Sequence, residues 1–267
     1  MRRALILTIV LAGAACGFPE YTFRSGPVTD GGANGSDADS SPFCAAHAAT
    51  FCADFDESSD VTLGWDRTDS RGDESLGEFT AAPHSAPRSL LARTGRNAGV
   101  QNPNVVVVHE AHATAKIAAV DLELRLETAD GTTTGGAGVV AVLFGVRGGV
   151  VSIDPSLELI VGSQDDTSED YLPPSTKLAL RLHEWTHVHF VVEAGTTATA
   201  AGTVTLVATR AGEPPVTVYD RASLQTARLT GALATTSPPV LSIGSYFARG
   251  DGAGWAFAFD DVVFEAQ

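Results

Sequence analysis

Two short stretches of this chain set reactive side chains at chemically meaningful intervals. The first, "LRLHEWTHVHFVVEAG" (residues 180–195), contains His183-Glu184-Trp185-Thr186-His187. On a helix, H-E-x-x-H brings both imidazoles to one face about 6 Å apart, where they hold one zinc beside a glutamate base, as in metalloproteases. On a strand the same histidines stand four steps of about 3.3 Å apart, roughly 13 Å in all. Zn–N bonds of about 2.0–2.1 Å exclude a shared metal across that span. The second stretch, "VDLELRLE" (residues 120–127), offers Asp121, Glu123 and Glu127. Strand alternation puts these acids and Arg125 on one face, and Leu122, Leu124 and Leu126 on the other. Retaining glycoside hydrolysis needs two carboxyls about 5–5.5 Å apart, and strand neighbours at i and i+2 are roughly 6.6 Å apart at Cα, so the acids form a plausible hydrolase set. A solvated acidic face, paired internally through Arg125, accounts for the same residues.

The surrounding chain decides between helix and strand. "THVHFVV" is β-branched and aromatic, and Gly195 ends the run, as strands require. Phe190 and Glu193 stand where the extended zinc-protease pattern needs Gly and His. Elsewhere short apolar or alternating runs recur between clusters of Gly, Pro and Asp. They cover 50–56, 88–93, 104–109, 115–127, 138–147, 149–153, 157–161, 177–182, 186–193, 202–210, 216–220, 240–245 and 255–265. Many short strands without a long helical period predict a single all-β, antiparallel sandwich over residues 43–267. In that setting "HEWTH" is a turn into a strand. His187 and His189 share one strand face and are the candidate ligand-binding groups.

The rest of the composition narrows the partners. A net charge of −15 repels phosphate backbones and argues against nucleic acid. "MRR" followed by the apolar "ALILTIVLAGAA" reads as an export signal over residues 1–15, too short to span a bilayer. Cys16 follows in "LAGAAC", which resembles a bacterial lipobox with Gly13 where Leu is usual. Lipidation of Cys16 would anchor the protein to the membrane by that group alone. Ordinary cleavage near Ala14 or Ala15 is the alternative and implies secretion. Residues 16–42, rich in Gly, Ser, Asp and Pro, read as a flexible tether with an r.m.s. span of about 28 Å. Cys44 and Cys52 then remain as an even pair for a disulfide in an oxidising compartment. The expected location is the bacterial cell envelope, at the outer membrane, or outside the cell.

Four pieces in order carry a family resemblance. "LHEWTHVHFVVEAG" resembles the W-x-H-V-x-x-x-V strand of the concanavalin A-like lectin/glucanase superfamily, including its laminin-G-like domains. "FCADFDESSDVTLGW" is similar to the family's opening strand and its loop to a Trp, here Trp65. "SAPRSLLAR" is similar to the segment that follows, and "WAFAFDDVVFE" to the closing strand. The resemblance implies a jelly-roll sandwich whose first and last strands pair. It implies a structural Ca²⁺ near those strands, with Asp56, Asp260 and Asp261 as ligands. It also implies a glycan or another surface polymer as partner, bound without catalysis. A glycoside hydrolase or polysaccharide lyase on the same fold is the first alternative. For a hydrolase, Asp121, Glu123 and Glu127 are the candidate acids, although they depart from the E-x-D-x-x-E pattern of laminarinase-type enzymes. A structural or adhesive role through protein contacts is the second alternative. These functional expectations rest on fold analogy.

Overall fold

The computed structural model describes residues 42–47, 49–56, 58–71, 74–95, 104–129, 136–165, 169–195, 200–226, 232–233, 235–246 and 254–267. The expected signal segment, Cys16 and the tether through residue 41 lie outside the described residues.

Two antiparallel sheets stack as a jelly-roll sandwich. One runs β13 (Val216–Ser223), β12 (Thr203–Arg210), β11 (Trp185–Glu193), β6 (Ile117–Thr128), β15 (Ala256–Ala266), β4 (Ser89–Arg93), β3 (Ser75–Phe79), with β1 (Phe51–Ala53) also paired to β15. The other runs β10 (Glu169–Tyr171), β9 (Leu159–Gln164), β8 (Arg147–Ile153), β7 (Ala137–Phe144), β14 (Pro239–Tyr246), β5 (Asn104–Glu110), β2 (Arg67–Arg71). The first and last strands pair as expected, with Phe51 opposite Phe264 and Ala53 opposite Val262. One short helix, α1 (Pro42–Ala45), precedes them, and the Cys44–Cys52 disulfide ties it to β1 across a Cα–Cα distance of 5.6 Å.

Alternation explains why these residues form these strands. In β6, Val120, Leu122, Leu124 and Leu126 are wholly buried between the sheets, while Asp121, Glu123, Arg125 and Glu127 face outward. In β11, Val188, Phe190 and Val192 do the same from the neighbouring strand. Gly149 of β8 is where the second sheet meets them. A Cβ there would lie 2.9 Å from the Phe190 ring and 3.0 Å from Val204, so close packing of the layers requires glycine.

The closing strand breaks its own alternation once. Asp260 pairs with Glu123 and Val263 with Asp121, so three steps on β15 match two on β6. The extra residue is Asp261, in the left-handed region at φ 50°, a β-bulge. Before it Phe257 and Phe259 point into the core, and after it Val262 and Phe264 do.

Two sequence expectations are corrected. Residues 177–182 form no strand: they pair through isolated bridges at Ala179 and Leu182 and place Leu178 and Leu180 in the core. Conversely β2, β3 and β10 were not foreseen. Each lies at the end of its sheet, where one side has no neighbouring strand among the described residues and burial imposes little pattern.

Candidate functional site

The outer face of the eight-stranded sheet gathers the predicted residues. Where β11 pairs with β6, Trp185 lies opposite Arg125, His187 opposite Glu123 and His189 opposite Asp121. These are one-face neighbours across the strands, close enough for direct side-chain contact. His187 Nδ1 lies 3.1 Å from Glu123 Oε1, and its Nε2 lies 3.4 Å from Asp121 Oδ1. His189 Nδ1 lies 2.8 Å from the same Asp121 oxygen. Burial alone would raise the Asp121 carboxyl, but hydrogen bonds from His187 and His189 outweigh it and hold it well below the usual carboxylate range. Hydrogen bonds to Asp121 and then Glu123 push His187 up to about 10, against partial burial. The hydrogen bond to Asp121 likewise raises His189.

A third imidazole joins from the loop at residues 80–88. His84 Nδ1 lies 2.7 Å from Asp261 Oδ2, and its Nε2 lies 4.0 Å from Glu123 Oε1. Its ring meets Trp185 edge-on at 5.6 Å. The Trp185 indole N–H donates to the Ala82 carbonyl at 3.1 Å. Arg125 lies over the Phe79 and Trp185 rings, 5.3 and 5.9 Å from their centroids, and pairs with Glu127. Acid and imidazole therefore alternate along one line: Asp261, His84, Glu123, His187, Asp121, His189.

His183 and His187 do not converge as in a zinc protease. His183 precedes β11 with φ 64° and lies 3.4 Å from Glu127, while His187 is held by Asp121 and Glu123. Glu127 is engaged with Arg125 and His183, away from the Asp121–His187 pair.

Asp56, Asp260 and Asp261, the expected calcium ligands, lie near one another. Asp260 is fully buried, and its oxygens accept from the Ser85 amide (2.9 Å), the Ser85 hydroxyl (3.1 Å), the Ser89 hydroxyl (2.8 Å) and the Asp261 amide (3.0 Å). Burial still pushes this carboxyl up to about 7. Asp56 accepts from the Arg88 amide at 3.2 Å; burial raises its carboxyl, as do the charges of Asp54 and Asp261. Among the described residues no group of three or more His, Cys, Asp and Glu side chains is arranged to hold a metal ion.

His84 was not foreseen. It sits in "APHSAP", a stretch without strand period, and its partner Asp261 lies 177 residues away. The only local signal was the doubled aspartate of "FDDV".

The outer face of the seven-stranded sheet has a different character. Val106, Val108, Ala141, Leu143, Val150 and Tyr246 form a second buried cluster there, away from the main core. Ser152 and Ser242 are buried on the same strands, and Asn104 lies at the start of β5. A shielded apolar floor with few polar groups is the usual form of a ligand cleft.

No family model matches the chain, and neither does any curated protein. Its fold is shared with solved structures. One is an endo-β-1,4-glucuronan lyase from the fungus Trichoderma reesei, with TM-score 0.56 and 10% identity over 82% of this chain and 96% of that one. A second is the marine PL-14 alginate lyase from Aplysia kurodai, with TM-score 0.58 and 11% identity over 83% and 100%. A third is the cellulose induced protein Cip1, with TM-score 0.56 and 12% identity over 81% and 97%. At such identities the likeness is one of fold.

Proposed function

We propose that this protein acts on a polysaccharide that contains uronic acids, cleaving it by β-elimination at the outer face of the eight-stranded sheet. The observation that carries this is the alternating line of three imidazoles and three carboxylates on a fold shared with a glucuronan lyase and an alginate lyase. In β-elimination a base takes the proton from the carbon bearing the uronate carboxyl. The neighbouring C–O glycosidic bond then breaks, a double bond forms between the two carbons, and the leaving oxygen receives a proton. His84 suits the base: Asp261 holds Nδ1–H and leaves the Nε2 lone pair toward the face, the logic of an oriented histidine. His187, a cation at neutral pH, suits charge neutralisation of the uronate.

The hydrolase alternative fits less well. A retaining enzyme needs one carboxyl that carries a proton. Asp121 is held ionised, and the carboxyl raised to about 7, Asp260, is wholly buried.

A second reading places the sugar chain on the outer face of the seven-stranded sheet, with Tyr246 as the reactive group. Its shielded floor of Val106, Val108, Leu143 and Val150 favours it. Purified protein incubated with glucuronan, alginate and neutral glucans tests both readings. New ultraviolet absorbance from the unsaturated product is expected with a uronate polymer. Its loss in His84→Ala with retention in Tyr246→Phe supports the first reading, and the reverse supports the second. Absence of cleavage with retained binding returns the protein to the non-catalytic glycan binder expected from sequence. Export to the cell envelope, with Cys16 lipidated, belongs to the same proposal, and the Cys44–Cys52 disulfide supports an oxidising compartment.

A further inference from the structure

Two consecutive aspartates leave the β15 bulge toward one loop. Asp261 reaches His84, while Asp260 takes the amide and hydroxyl of the next residue, Ser85. Ser89, at the start of β4, donates to the same Asp260 oxygen. Three donors from the five residues 85–89 thus converge on one oxygen that has no access to solvent. Two further anchors hold the loop at residues 80–88, the Trp185 indole on Ala82 and Asp56 on the Arg88 amide. A carboxyl without access to water needs such donors, so the bonds that satisfy Asp260 also fix Ser85 and Ser89 in place.

We propose that Asp260 is a positioning residue: it locks Ser85 to the bulge so that the His84 ring stays against Asp261 with Nδ1 protonated and Nε2 turned to the open face. It touches no substrate and acts only through the loop. The catalytic use of that Nε2 rests on the lyase reading above; the locking does not. The charged groups around the device are Asp54, Asp56 and Arg88 on one side and Asp261, His84 and Glu123 on the other.

The test reads the His84 ring nitrogens by NMR in the full chain, at a pH where that ring is neutral. Wild type is expected to show one tautomer, protonated at Nδ1. Asp260→Ala is expected to give averaged nitrogen shifts as the ring detaches. Asp260→Asn, which keeps an acceptor, is expected to restore most of the wild-type pattern. Should Asp260→Ala fail to fold, Ser85→Ala combined with Ser89→Ala removes two of the three donors and is expected to broaden or shift the same signals. A folded Asp260→Ala, or the double serine variant, with the wild-type tautomer overturns the proposal. In a cleavage assay, Asp260→Ala is expected to lower kcat about tenfold or more with KM within about twofold. A wild type that cleaves nothing defeats the lyase reading alone, because the tautomer measurement still decides the positioning role.

Discussion

His189 and His187 share one acceptor: both imidazoles lie against the same Oδ1 of Asp121, at 2.8 and 3.4 Å. The pairing ties stability to pH. The folded His187 value of about 10 lies above the unfolded 6.5. Its contribution is therefore complete below pH 6.5 and lost as pH rises through 10. Asp121 is depressed below 3.8, so its contribution is complete above that pH and lost as pH falls. His187 and Asp121 are about two-fifths exposed, and solvent screening limits the effect to roughly 1 kcal/mol. Between pH 7 and 10 the wild-type melting temperature should fall about 2–4 °C further than that of His187→Gln. Parallel curves for the two proteins would show that the pair contributes nothing.

Asp260 behaves in the opposite sense to most carboxylates. Its folded value of about 7 exceeds the unfolded 3.8. The fold holds a proton that the unfolded chain releases, so this group's contribution is complete below pH 3.8 and lost as pH rises through 7. Asp260→Asn cannot titrate. Its melting temperature relative to wild type should climb by several degrees from pH 5 to 8, as measured by calorimetry. A constant difference across that range would refute the raised carboxyl.

The strands were legible where both faces were constrained. "VDLELRLE" and "THVHFVV" alternate because Leu122, Leu124, Val188 and Phe190 are packed between the sheets while their neighbours meet water. Edge strands such as "RTDSR" carried no such imprint. Four of the six residues in the acid–imidazole line were legible for the same reason: Asp121, Glu123, His187 and His189 lie on two strands whose period fixes their side. His84 was not, because a loop residue is placed by contacts 103 to 177 residues away, through Trp185, Asp260 and Asp261, and no local pattern records them.

The disulfide should matter for stability in proportion to its short loop. Cys44 and Cys52 are separated by eight residues, for which chain-entropy arguments give roughly 2–3 kcal/mol. Cys44→Ala/Cys52→Ala should melt about 5–10 °C below the oxidised wild type, with little change in far-ultraviolet circular dichroism, because the pair joins only α1 to β1. Equal melting temperatures would place the N-terminal staple outside the cooperative unit.

His84→Ala should abolish uronate cleavage by about 10²–10⁴-fold in kcat, the usual worth of a general base. The variant should melt within a few degrees of wild type, since His84 is two-fifths exposed. Wild-type kcat in this variant would remove His84 from the chemistry.

The bulge at Asp261 also has a consequence for chain length. Phe257 and Phe259 enter the core on one phase of β15, and Val262 and Phe264 enter it on the other. One residue of offset reconciles the two. Deleting Asp261 would merge the two phases into one regular alternation, with Val262 and Phe264 still turned to the core and Val263 still opposite Asp121, and would remove the carboxylate that faces His84. Such a deletion would leave the seam between β1 and β15 in register and cost the outer face its Asp261–His84 pair. The closure of the sandwich does not need the bulge; the extra residue serves the outer face, where it sets one more carboxylate beside His84.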